Sequence, residues 1–165
     1  MLWLPFDKLT LYSPMPLPEL RAALEAQCGT GPSLRPQEPK TFYGTVEHDQ
    51  FRILRSIWFS NAFRPVIIGR LRPEGSATLI HLRLRMMVFG MVFMSIWIGV
   101  SLIPVAVALL SFFGGNTPFQ SVHFILIAFP LVGYGFSMGS FLFERGKGLQ
   151  ELKRILRASE FRDVQ

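Results

Sequence analysis

From Met86 to Phe143 the chain has no Asp, Glu, Lys or Arg, a gap of 58 residues. Soluble domains carry about 25% charged residues. Here the figure is 17%, and the shortage is confined to that one stretch, which is a membrane signature. Cysteine is nearly absent. Cys28 stands alone, which excludes an intramolecular disulfide and reads as a small apolar residue near a helix end rather than a reactive thiol. The three histidines, His48, His81 and His123, form no HExxH pattern, and there is no paired CxxC and no carboxylate cluster. The expectation is therefore no metal site, no cofactor and no catalytic residue. His48 and Asp49 are adjacent, so they alternate faces in a strand or are solvated in a turn, and do not make a base and its orienter. The glycines of GYGFSMG lie inside an apolar run rather than between a strand and a helix, which excludes a phosphate cradle. The opening MLWLPFDKLTLY is broken by Pro5 and Asp7 and does not read as a cleaved signal peptide.

Two long apolar runs fill the uncharged stretch. Met86–Leu110 has 25 residues and Val122–Phe143 has 22. As a helix the first would reach ~37 Å, enough to cross a ~30 Å hydrocarbon core with tilt. Both exceed the ~18 residues that separate spans from core helices, and neither has a polar face. The residues between, 111–121, are uncharged and rich in turn formers, which predicts a tight transmembrane hairpin.

All 17 Lys and Arg lie outside the hairpin, 11 of them in residues 1–85 and 6 in residues 144–165. The net charge of +6 therefore reads as topology rather than nucleic-acid binding. Arg83 and Arg85 precede the first run, and Arg145 and Lys147 follow the second. This places both termini in the cytoplasm and gives those four side chains to anionic lipid headgroups. Within the hairpin, Ser95 and Gly99 on one helix and Gly135 and Gly139 on the other make small-xxx-small pairs. They are expected to pack the two spans of one chain together, with a homodimer contact as the alternative. Pro104 and Pro130 can kink their helices. Only His123, near the outer end, is ionisable at depth, so an ion path is not expected.

The hydrophilic part, 1–85, alternates between strand and turn patterns. Lys8–Tyr12 predicts a strand. PELRAALEAQC predicts a helix with Pro18 in its first turn, Gly29 just past its end, and Leu17, Leu20 and Leu24 as its apolar stripe. Residues 30–40 hold three prolines and read as a loop. FYGTVEH and FRILRSIWF predict two strands joined by a turn at 48–50, PVIIGRLR a third, and ATLIHLRLRM a fourth. In the fourth strand Ile80, Leu82 and Leu84 face one side, and His81, Arg83 and Arg85 the other. After the hairpin, ERGKG is read as loosening the chain before an amphipathic helix, GLQELKRILRASEF. That helix either covers the sheet or lies on the inner leaflet. The predicted fold is an α+β membrane protein. It has a four- to five-stranded antiparallel meander with an N-terminal and a C-terminal helix, and a two-helix transmembrane hairpin inserted before the latter.

The run LTLYSPMP, FYGTVEHDQFRILR, SNAFRPVIIGRLRP and GSATLIHLRLRM ahead of an apolar hairpin resembles a group of uncharacterised bacterial membrane proteins. Their Asn-Ser-Phe-x-Pro core corresponds here to Asn61, Ala62, Phe63 and Pro65, with Gly69 ending the strand. Ala62 replaces the usual Ser. The resemblance covers most of the chain and implies a bacterial inner-membrane location, without an activity. Physically, Asn61 and Pro65 suit a structural turn.

Three functions are compatible with this pattern. The leading one is a non-enzymatic, membrane-tethered binding or adaptor module engaging a membrane or cytoplasmic protein. The second is a ligand- or lipid-binding domain of helix-grip-like or pleckstrin-like shape, supported by an apolar cavity between sheet and helix and removed by a filled core. The third is an accessory subunit of a transporter or membrane complex.

Overall fold

The computed structural model describes residues 5–29, 40–56, 62–115 and 120–161. The elements in order are β1 (Phe6–Ser13), α1 (Leu17–Gln27), β2 (Cys28–Gly29), β3 (Phe42–Val46), β4 (Gln50–Arg55), β5 (Pro65–Glu74), β6 (Ala77–Met86), α2 (Val88–Phe113), α3 (Ser121–Ile155) and β7 (Ser159–Glu160). The fold is α+β, with one seven-stranded sheet of order β2-β3-β4-β5-β6-β1-β7.

The sheet is larger than the predicted meander, and it is mixed. β3 to β6 pair in chain order, each antiparallel to the next, and β1 adds on beyond β6. The two-residue strands β2 and β7 extend the edges. β2 pairs parallel with β3 because the chain leaves α1 directly in extended conformation at Cys28. Gly29 therefore sits in a strand rather than capping the helix. Gly75, at φ +62°, closes the short turn between β5 and β6, where a left-handed residue matches the twist of the strands.

Alternation sorts the side chains into two faces. Leu11, Phe51, Ile53, Ile67, Leu71, Ile80, Leu82 and Leu84 point to one side, where Leu20 and Leu24 of α1 and Leu149, Leu152 and Leu156 of α3 close over them. Most of these are fully buried, so the space between sheet and helices is filled by the protein's own side chains. Phe51 lies over Gly69, where any Cβ would overlap its ring. Gly69 thus sits inside β5, which runs on to Glu74; it does not end the strand or belong to a turn. Of the other residues in the expected turn motif, Pro65 opens β5 and is buried, and Phe63 packs at the sheet–helix junction against the cluster of Met86, Met138 and Phe141. Asn61 lies outside the described residues.

The largest correction concerns α3. ERGKG does not loosen the chain, because α3 is one helix of 35 residues that carries the second apolar run and the amphipathic segment without a break. Gly146 is tolerated within it, and Gly148 has a specific use. A Cβ on Gly148 would lie 3.3 Å from Ile67 Cδ1, so its lack of a side chain lets the helix approach β5 closely. The C-terminal segment therefore covers the sheet, one of the two placements its amphipathic pattern allowed.

Both α2 and α3 are long and apolar enough to cross a membrane. Only 6% and 22% of their most apolar windows are buried, unlike the core helices of soluble proteins. Large side chains such as Phe89, Ile103, Leu110, Val132 and Phe136 face outward. The two helices pack through Trp97, whose ring lies 4.7 Å from that of Phe129 and covers Gly133. Met91 packs against the cluster of Met86, Met138 and Phe141 lower down, so the helices run in opposite directions. Gly99, Gly135 and Gly139 have nothing within 4 Å of where a Cβ would stand, and Ser95 is exposed. The small-residue pairs therefore do not pack these two helices together, and Gly133 serves that contact instead.

Candidate functional site

The face of the sheet opposite the helices has no covering element among the described residues. The registers align its side chains in rows across the strands. Phe6, Arg85, Val66 and Leu54 form the row nearest α2; Lys8, Arg83, Ile68 and Arg52 form the next; Thr10, His81, Arg70 and Gln50 the third; Tyr12, Leu79 and Arg72 the fourth. Six cations, Lys8, Arg52, Arg70, Arg72, Arg83 and Arg85, thus share one face, and all six are exposed. Among the described residues none of them has an ion-pair partner. Three carboxylates of the described residues lie on this side: Glu47, which accepts from Gln50 Nε2, Asp49, which lines the β4 end of the groove, and Glu74 beside the β5–β6 turn.

An open groove of about 1030 Å³ runs over β1, β6 and β5, lined by Lys8, Thr10, Arg70, Arg72, His81 and Arg83 among others. At its centre Thr10 Oγ1 and His81 Nδ1 are 3.2 Å apart, a hydrogen bond that fixes the imidazole between the cationic rows. Opposed side chains on neighbouring strands stand ~5 Å apart, and same-face neighbours along a strand ~7 Å apart. The guanidinium groups therefore form a lattice rather than converging on one point.

The four residues expected at lipid headgroups separate into different roles. Arg83 and Arg85 belong to the open face. Arg145 does not project freely: its Nε donates to Asp7 Oδ2 at 2.8 Å, and its side chain is largely covered. That pair ties α3 to the first residues of β1. Lys147 is exposed, with its ammonium 4.1 Å above the Phe143 ring, where α3 leaves its apolar segment.

A second ion pair, Arg55 to Glu144 at 2.9 Å, ties the same turn of α3 to the end of β4. At the other end of the sheet Ser13 Oγ donates to the carbonyl of Leu156 at 2.6 Å. From Arg145 to Leu156 the helix rises ~17 Å, and from Asp7 to Ser13 the strand rises ~20 Å. α3 therefore lies along β1 and in the same direction, so the strands run lengthwise with the helix.

The remaining polar groups form no centre. Among the described residues no three His, Cys, Asp or Glu side chains lie close enough to hold a metal. His48 approaches Arg21 Nη1 at 3.4 Å on the rim of a shallow hollow by α1, and His123 accepts from the Gln120 amide at the start of α3. Cys28 is half-buried, and burial raises its thiol pKa above the ordinary 9.0, which is the opposite of nucleophile activation.

No protein-family model, curated protein or solved structure matches this chain. Sequence reading found Arg83 and Arg85 but not the face they belong to. The signal was present: aligning the apolar phase of every strand puts Lys8, Arg52, Arg70 and Arg72 on the same side as Arg83.

Proposed function

We propose that this chain is a non-enzymatic, membrane-tethered binding module of the bacterial inner membrane. In this reading α2 and α3 cross the bilayer as a hairpin, both termini are cytoplasmic, and the sheet stands on the inner leaflet with its basic face open to a protein partner. The observation that carries the reading is the six-cation face on a sheet fixed to two lipid-length helices. The attachment is stiff on both sides. Only Met87 separates β6 from α2, and α3 continues from its apolar segment onto the sheet without a break. The confinement of all 17 cations outside residues 86–143 supports the orientation, since basic flanks are retained on the cytoplasmic side. A module built to hold an apolar ligand between sheet and helix is disfavoured by the side chains that already occupy that space.

Single cysteines in a Cys28→Ser background test the topology. Arg83→Cys in intact spheroplasts is expected to resist a membrane-impermeant maleimide until lysis, and Gly115→Cys is expected to react at once. Labelling of both sites from outside overturns the reading. A photocrosslinking residue at Ile68, on the open face, is expected to yield a defined protein adduct in cells, and one at Arg154, behind α3, is not. Adducts from Arg154 alone overturn the binding half.

A further inference from the structure

Resting on that reading, we infer that the basic groove takes an extended acidic segment of a protein partner, laid along the strands. The direction of α3 sets where the groove stands. The strands run lengthwise with α3, so if α3 crosses the bilayer the sheet stands upright and its open face looks sideways, along the inner leaflet. The rows of the face then lie at increasing heights. Arg85 is closest to the spans, Arg83 is ~7 Å further out, His81 with Arg70 ~14 Å, and Arg72 ~20 Å. A headgroup layer is only ~5–8 Å deep on each side of the hydrocarbon. Lipid headgroups reach Arg85 and the edge of the Arg83 row, and the groove beyond them is open to the cytoplasm.

The spacing of the cations selects the shape of the ligand. Side chains on a sheet stand roughly parallel to one another, so Lys8, Arg70, Arg72 and Arg83 do not close on a single small anion. Arg70 and Arg72 on β5, and Arg83 and Arg85 on β6, are each two residues apart, a repeat of ~7 Å. An extended peptide with acidic residues at alternate positions repeats its carboxylates at the same ~7 Å, and Arg meets carboxylates in forked pairs. Nucleic acid also offers regular anions, but single strands are held by aromatic platforms between the cations. Here Phe6 and Tyr12 stand near the two ends of β1 and Tyr43 is on β3, and none of the three lines the groove between the cations.

The test uses the full chain in phospholipid nanodiscs and four fluorescent probes. Three are twelve-residue peptides: one alternating glutamate with serine, one with all its glutamates in a block ahead of its serines, and one alternating glutamine with serine. The fourth is a twelve-nucleotide oligo-dT. Anisotropy titrations are expected to show the alternating glutamate peptide binding at least threefold tighter than the block peptide, which divides its carboxylates between two faces. The glutamine peptide is expected not to bind. Arg70→Glu/Arg83→Glu is expected to weaken the alternating glutamate peptide at least tenfold. Arg154→Glu/Arg157→Glu, which removes the same charge from the far side, is expected to change it less than twofold. Circular dichroism of each variant verifies folding. Equal affinity for the alternating and block peptides, tighter binding of oligo-dT than of the alternating peptide, or equal losses in both double variants overturns the inference. The cysteine-labelling result is independent of these titrations, so a groove that rejects acidic peptides while Arg83→Cys remains cytoplasmic sinks the inference and leaves the tethered module standing.

Discussion

Arg55, the last residue of β4, and Glu144, the residue directly after the apolar part of α3, form an ion pair at 2.9 Å across 89 residues of sequence. Glu144 is 4% exposed, so its carboxylate depends on Arg55 for the solvation it has lost. With the Arg145–Asp7 pair, it fastens α3 to β4 and to β1 from one turn of helix. The sheet and the apolar helix α3 are therefore fastened together, and these two contacts help to set the height of the basic face along α3.

Removing one partner tests that fastening. Glu144→Ala leaves a guanidinium without its counter-charge at a largely buried site and is expected to destabilise by about 3 kcal/mol. The double variant Arg55→Met/Glu144→Met, which removes both charges and keeps the volume, is expected to recover most of that loss. Thermal unfolding in mild detergent measures both. A double variant as unstable as Glu144→Ala would remove the ion pair from the account.

Gly69 is required by the ring above it. Any Cβ there overlaps Phe51, which is 1% exposed and packed within the core cluster. Gly69→Ala is expected to cost about 2 kcal/mol by overpacking. Adding Phe51→Leu shortens the opposing side chain and is expected to make the Ala nearly neutral in that background. Chemical denaturation of the two single variants and the double variant gives the coupling directly.

The end of α3 holds a strained residue. Arg157 has φ +49°, and the Ala158 amide reaches back to the Lys153 carbonyl at 2.9 Å, the closure that usually places glycine in the left-handed position. A side chain in that conformation costs about 1 kcal/mol. Arg157→Gly is expected to raise stability by that amount, and Arg157→Val to lower it. Unfolding midpoints in the same detergent decide between gain and loss.

These contacts explain what the sequence made legible and what it did not. The β6 strand could be read to the residue because Ile80, Leu82 and Leu84 alternate strictly with His81, Arg83 and Arg85, and one face is buried. The two apolar helices were legible from the missing charges, although β6 takes Met86 and α2 begins only at Val88. By contrast, β2 and β7 have two residues each and exist only because a neighbouring strand offers its edge, so no local pattern marks them. Gly146 and Gly148 read as breakers because the partner that uses Gly148, Ile67, is distant in sequence. The basic face was missed for the same reason. It is assembled from β1, β4, β5 and β6, and each strand alone shows only ordinary solvent-facing cations.

Cys28 gives a pH test. Burial raises its thiol pKa in the folded chain above the ordinary 9.0. The folded state thus favours the neutral thiol. The stabilisation is complete below pH 9 and is lost as the pH rises through the elevated folded value. Stability is expected to fall more steeply above pH 9 in the wild-type chain than in Cys28→Ala. Iodoacetamide at pH 8 is expected to modify the folded chain more slowly than the unfolded one. Parallel denaturation curves for the two chains across pH 8–10.5 would remove this contribution.

Inside the helix pair, glycines of equal appearance have opposite consequences. Gly133 lies under Trp97, and a Cβ there would overlap the indole, whose ring is also held by Phe129 and by Phe93 at 6.3 Å. Gly135 and Gly139 have open space around them in the single chain. Gly133→Ala is therefore expected to lower stability by about 2 kcal/mol, because the indole must move against two other rings. Gly135→Ala and Gly139→Ala are expected to leave stability unchanged or slightly raised, since alanine is the better helix former. With Trp3 and Trp58 replaced by Phe in every chain compared, Trp97 fluorescence during unfolding reports the contact itself. If all three variants unfold together, the packing of α2 on α3 does not depend on Gly133. If only Gly133→Ala shifts the Trp97 signal, the close approach of the two helices is assigned to that residue rather than to the small-residue pairs.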